Sequence, residues 1–193
     1  MSAPKTVGQR QPPYNEKKAT QAAALALKLE GGSMEYEKLV KLLYNIEREA
    51  LRRWGRLITY DRPFALPQGL ILSTTLNKAK SSKHDKRSYW GEHVQTVGFE
   101  ARLTSDCGVG ELSEAEVALI TECSERYRDK SAFYMRDEHH RPDIFTEWRD
   151  PKGSSIPITL NEILEHLGFN EEESFQILQG IEEDAALIDF VHS

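Results

Sequence analysis

The chain has only two cysteines, Cys107 and Cys123, and no CxxC pair. That excludes a disulfide framework and a zinc ribbon, and it fits a reducing, cytoplasmic setting. No apolar run approaches the roughly 20 residues that a bilayer-spanning helix needs. The polar, proline-containing N-terminus "MSAPKTVGQRQPPYNEKK" lacks the apolar core of a secretory signal. There is no Gly-rich phosphate loop, no G-x-S-x-G nucleophile motif and no internal repeat. Basic charge is also short: the formal net charge is -6, against the basic surface that phosphate contacts require, so direct nucleic-acid binding is not expected. With 193 residues, 29% charged and 39% apolar, the chain is expected to fold as a soluble globular protein with a real core.

What is present is mostly helix signal. "EKKATQAAALALKLEGG" is rich in Ala and Leu and closes on Gly31 and Gly32. In "SMEYEKLVKLLYNIEREALRRWG", the residues Tyr36, Leu39, Val40, Leu43, Ile46, Ala50 and Trp54 recur at three- and four-residue steps. Leu42 and Tyr44 lie off that stripe, so this helix is expected to be covered on two sides, at the centre of the core. Ser33 is read as its N-cap and Gly55 as its stop. "RLITYDRPFALPQGLILSTTLNKAK" reads as an extended connection and then a helix beginning near Pro67.

The basic run "NKAKSSKHDKRS" reads as a solvated loop or as a landing patch for an acidic partner. Phe99, Ala101 and Leu103 alternate with polar residues as in a half-buried strand, with residues 89–94 as its antiparallel partner. Ser113 with Glu116, and Thr159 with Glu162, match the S/T-x-x-E capping box; Asn170 and Glu173 cap a last, acidic helix over 170–190. The buried stripe of the helix after Ser113 is read as Val117, Ile120, Cys123 and Tyr127. The expected fold is mostly α, an α-rich α+β protein: a flexible tail over 1–15, then one helical domain over 16–193 with a small antiparallel β element inserted.

The stretch richest in reactive side chains is "DEHHRPDIFTEW", residues 137–148. It could be a metal or acid–base site, but the spacing argues against both. Neighbouring His139 and His140 diverge by about 100° on a helix, and Pro142 interrupts the better-spaced pair of His140 and Asp143. The favoured reading is a helix end passing into a loop, with an Asp137–Arg141 pair and Ile144, Phe145 and Trp148 as pins to the core. No metal, cofactor or catalytic residue is assigned.

Four blocks in order carry a resemblance: "KLVKLLYNIEREAL", "GRLITYDRPFALPQGLILSTTLN", "GELSEAEVALITECSERYRDKSAFYM" and "EWRDPKGSSIPITLNEILEHLGFNEEE". Together they resemble the SocA-like antitoxin family, or Panacea domain, over about residues 20–178. "TEWRDPKGSSIPI" is the most telling block. The resemblance implies a helical, non-catalytic module of phage-associated or bacterial toxin–antitoxin systems. Its partner would be a protein toxin encoded by the adjacent gene and, as for one family member, a cytoplasmic protease to which the toxin is delivered. Where the family commonly reads Gly-Pro-Val, this chain has Gly69, Leu70 and Ile71, and its segment before Trp148 is longer and more charged.

The candidate partner-binding residues are Tyr44, Gln68, Gly69, His139, His140 and Trp148. Tyr44 and Trp148 are more often core residues, and Gly69 more often marks close helix packing than a contact. A proteolytic adaptor or phage-encoded regulator that bridges a target to host machinery is the competing function. A metal-dependent hydrolase built on 137–143 is the third.

Overall fold

A computed structural model describes residues 10–81 and 87–191. Residues 1–9 of the expected tail and 82–86 of the basic run lie outside the described residues. Helices dominate, with two small antiparallel sheets: the α-rich α+β class expected from the sequence.

Helix α1 (Glu16–Leu29) is capped by Asn15, whose carboxamide oxygen accepts the Lys18 N–H at 3.0 Å. Its alanines 19, 22, 23 and 26 are all buried; small side chains let neighbouring elements approach its backbone closely. Helix α2 (Tyr36–Trp54) is the centre of the molecule. Leu39, Val40, Leu43 and Ile46 are buried on one side and Leu42 and Tyr44 on the other, so the two-sided covering read from the sequence is what forms. Gly55, at φ +63, ends the helix in the left-handed conformation.

The N-terminus of α2 differs from expectation. Ser33 is not its cap; it lies in strand β1 (Ser33–Glu35), and its hydroxyl donates to Glu100 Oε1 at 2.7 Å. Strand pairing takes over the capping task here, since the Tyr36 N–H donates to the Phe99 carbonyl at 2.9 Å.

The helix expected near Pro67 is instead a β-hairpin, β2 (Pro63–Leu66) and β3 (Gly69–Leu72), paired from Pro63↔Leu72 to Leu66↔Gly69. Proline sets φ for a turn as readily as for a helix start, so Pro67 alone does not separate the two. The four buried residues of β3 also hide the period-two alternation of a half-buried strand. The helix begins later, as α3 (Ser73–Ser81). Its cap comes from far away in sequence: Asp61 accepts the Thr74 N–H at 2.9 Å and the Thr75 N–H at 2.7 Å.

Residues Tyr89–His93 form a short helix, α4, capped by Ser88, rather than the expected strand. The true partner of β5 (Glu100–Leu103) is β4 (Val94–Val97), and β1 adds to the far side of β5. Phe99 therefore sits at the β4–β5 turn, 78% exposed, instead of facing the core. Helix α5 (Glu114–Tyr127) starts on the expected Ser113–Glu116 capping box, and Ile120, Cys123 and Tyr127 are buried along it. Helix α6 (Ala132–His139) follows, and after a loop β6 (Ile156–Pro157) pairs with β2 to complete the second sheet. Helix α7 (Leu160–His166) starts on the Thr159–Glu162 capping box. The reciprocal Asn170–Glu173 pair opens α8 (Glu171–Val191).

Candidate protein-binding site: a clamped hairpin turn

The two-residue turn between β2 and β3 presents Pro67 and Gln68 to solvent. Next to it, Gly69 adopts φ +107, a conformation L side chains rarely reach. A side chain there would also find no room, because a Cβ on Gly69 would lie 3.0 Å from His139 Cβ and 3.1 Å from His139 Nδ1. The backbone passes directly over the imidazole.

His139 is fully buried and makes two hydrogen bonds. The Leu70 N–H donates to Nδ1 at 3.1 Å, which fixes that nitrogen as an acceptor. The ring proton is then on Nε2, which donates to Asn45 Oδ1 at 2.9 Å. A second proton would break the Leu70 bond. Burial first, and then the positive charge of Lys41, push its pKa well below the ordinary imidazole value.

Beneath His139 lies an aromatic cluster. Its ring is 5.7 Å from Tyr44, edge on, and 4.5 Å from Phe145. The Tyr44 hydroxyl donates to Glu147 Oε1 at 2.8 Å, and Arg48 Nε donates to the same oxygen at 2.6 Å. Arg48 also donates to the Ile144 carbonyl at 3.0 Å and lies over the Phe145 ring at 4.9 Å.

Two further side chains grip the turn from the other side. Trp148 Nε1 donates to the Leu66 carbonyl at 3.0 Å, and His140 Nε2 meets the Pro67 carbonyl at 3.1 Å. The His140 ring stands edge to the Trp148 ring, with centroids 4.1 Å apart. His140 Nδ1 meets the Arg136 carbonyl at 2.7 Å, so the neutral ring can donate to one of its two carbonyls and the imidazolium to both.

The stretch 137–148 is thus a clamp: His139, His140 and Trp148 hold Leu66, Pro67 and Leu70 on either side of Gln68. Its acidic residues turn elsewhere. Asp137 pairs with Arg136, and Arg141 with Asp143, rather than Asp137 with Arg141 as the i,i+4 spacing suggested. Glu138 accepts the Tyr127 hydroxyl at 2.7 Å. Among the described residues, no group of three or more His, Cys, Asp or Glu could hold a metal ion.

Five of the six sequence-chosen residues meet at this turn, and Tyr44 underlies it. They differ in exposure, however. Tyr44, at 1% exposure, and His139 are interior, so neither can touch a partner in this fold. Gly69 is buried; His140 and Trp148 are half-buried; only Gln68 is exposed. The sequence reading missed Asn45, Arg48 and Glu147. The signal for the first two was a helix read as covered on two sides, which leaves some of its polar residues facing the interior; Glu147 had none.

A family model for the antitoxin SocA-like, Panacea domain matches residues 39–148, which take in most of α2, the hairpin and the clamp. The chain belongs to this family. No curated protein and no solved structure matches it. Among the described residues, no helix is long and apolar enough to cross a membrane.

The buried imidazole predicts a pH signature. An unfolded histidine titrates near 6.5, whereas folded His139 holds no second proton until far lower pH. The unfolded state therefore binds more protons below about 6.5, and the stability contributed by neutral His139 is present above that pH and lost as pH falls. Glu47 works in the opposite sense. Burial pushes it up to about 7 despite hydrogen bonds from Thr59 and the Ile58 N–H, so it favours the fold at lower pH. The two effects offset in a bulk stability curve, so His139 has to be read directly. In a histidine NMR titration, its ring signals are expected to stay those of a neutral Nε2–H tautomer through the range in which ordinary imidazoles protonate; a normal titration midpoint would contradict the clamp.

Proposed function

We propose that this chain is the antitoxin of a toxin–antitoxin pair and neutralises a protein toxin by binding it directly, in the cytoplasm and without catalysis. The module is read as residues 16–193, with the family-matched span at its centre. One observation carries the choice of surface: an exposed turn fixed by hydrogen bonds with His139, His140 and Trp148, all on one buttressing segment. A turn held in one conformation loses little entropy on binding, which favours tight association.

An exposed aromatic side chain, Phe99, is linked to it through half-buried Tyr36. Phe99 stacks on Tyr36, and Tyr36 lines the same cleft as Gln68. Large anchors around a rigid centre are the usual source of interface energy. His139, Tyr44 and Gly69 act through the turn, as positioning residues.

The test is growth of cells expressing the adjacent gene under tight control, with and without this chain. Arrest by the neighbour alone, relieved on co-expression, is the expected result. Gln68→Glu and Phe99→Asp change exposed positions, so both variants should stay folded and lose rescue. A neighbour that is harmless, or still toxic beside folded chain, would remove the pairing. Rescue confined to cells with an intact cytoplasmic protease would favour the adaptor route, in which the chain delivers its target for degradation.

A further inference from the structure

A cleft of about 70 Å³ opens between α2, the β2–β3 hairpin and α3, with Tyr36, Glu37, Lys41, Gln68, Ile71 and Lys80 in its lining. Lys41 is only 2% exposed and is among the largest fully buried side chains. Yet among the described residues its amine has no hydrogen-bond partner and no carboxylate within 4 Å. That is unlike the other buried lysine of the helix. Lys38, one turn earlier, is ion-paired with Glu30 and donates to the Arg128 carbonyl at 2.9 Å.

The charges acting on Lys41 give it little support. Glu37, one turn away, attracts the proton, while Arg136 on α6 repels it. Burial is the largest influence and lowers the pKa to about 8, which leaves the amine mostly charged at neutral pH. Although Glu37 acts on it from one turn away, an ammonium largely withdrawn from water with no carboxylate within 4 Å costs the fold free energy that a methionine in its place would not. Such a group at the base of an open cleft is arranged for a partner that brings the missing charge.

Resting on the antitoxin reading above, we propose that the Lys41 amine is the receptor for a carboxylate: an Asp or Glu side chain of the toxin enters this cleft and pairs with it. The Gln68 amide supplies a second donor at the rim, and exposed Lys80 adds positive potential at the mouth. The cleft has room for a small polar group such as a carboxylate head. The Tyr36–Phe99 stack, with centroids 6.5 Å apart, offers an apolar platform for the residues that flank the acid.

Lys41→Met in the full chain separates binding from folding, because the two should move in opposite directions. Its thermal midpoint should match or exceed that of the wild type, since an unpaired buried charge is removed. Its affinity for the toxin should fall about 100-fold, as when one member of a buried charge pair is truncated. Lys41→Arg should keep most of the binding. A Lys41→Met chain that binds the toxin as tightly as wild type would overturn the proposal while leaving the antitoxin reading intact.

If the adjacent gene product does not bind at all, that reading fails, and a second measurement decides the cleft by itself. N-acetyl-glutamate N-methylamide is titrated into lysine-labelled full chain and followed at the Lys41 Cε signal, with the glutamine analogue as control. A saturable shift seen only with the carboxylate supports the site. No shift up to tens of millimolar, or the same shift with both compounds, overturns it.

Discussion

Glu147→Ala is expected to cost roughly 3–5 kcal/mol of folding stability, the range for breaking a buried ion pair from one side. The Glu147 side chain is fully buried, and it receives Arg48 and the Tyr44 hydroxyl on one oxygen. Its other oxygen takes a second, longer bond from Arg48 at 3.3 Å. Alanine would leave a guanidinium that is always charged, on a side chain only 15% exposed, with the Ile144 carbonyl as its remaining acceptor. It would also strand a buried phenol.

Urea unfolding checks the figure: the midpoint should fall sharply with an unchanged slope. Glu147→Gln should fall between, because it can still accept from Tyr44 but cannot neutralise Arg48. The double change Arg48→Met with Glu147→Leu should recover much of the loss, since it leaves no charge to satisfy. A loss below about 1 kcal/mol for the single alanine would mean that Arg48 finds another partner or reaches water.

This charge pair also shows where sequence reading stops. Helix α2 was legible as the core because burial writes itself into a three- and four-residue rhythm along one segment. The boxes at Ser113–Glu116 and Thr159–Glu162 were legible because a cap and its partner are three residues apart. What failed was long-range. Asp61 caps α3 across thirteen residues, Arg48 meets Glu147 across 99, and β1 finds β5 across the chain. The hairpin was lost because β3 is buried throughout and Pro67 suits a turn and a helix start equally. The site itself was half legible. His139, His140 and Trp148 stood out by residue type, but type does not reveal direction, and two of the six chosen side chains point inward. What they contact is the hairpin and the segment that holds it.

Gly69→Ala tests that holding directly. Alanine at φ +107 carries a backbone penalty of about 1–3 kcal/mol. Its Cβ would also sit 3.0 Å from His139 Cβ, so the hairpin or the helix end must move. Together these should cost roughly 2–4 kcal/mol, with the second part typical of overpacking. Gly98 supplies the control. It too has positive φ, at +65, but a Cβ there would meet nothing within 4 Å. Gly98→Ala should therefore cost only the backbone part, about 1 kcal/mol.

The excess at position 69 combines the stiffer backbone penalty at φ +107 with the contact against His139, and hydrogen exchange singles out the contact. The Leu70 amide, which donates to His139 Nδ1, should lose protection in Gly69→Ala and keep it in Gly98→Ala. Neutralisation should follow the Leu70 amide rather than global stability. At a temperature where both variants are folded, Gly98→Ala should rescue growth and Gly69→Ala should not. Equal rescue by the two would detach the clamped turn from function, because it would show that a displaced turn binds as well as a held one.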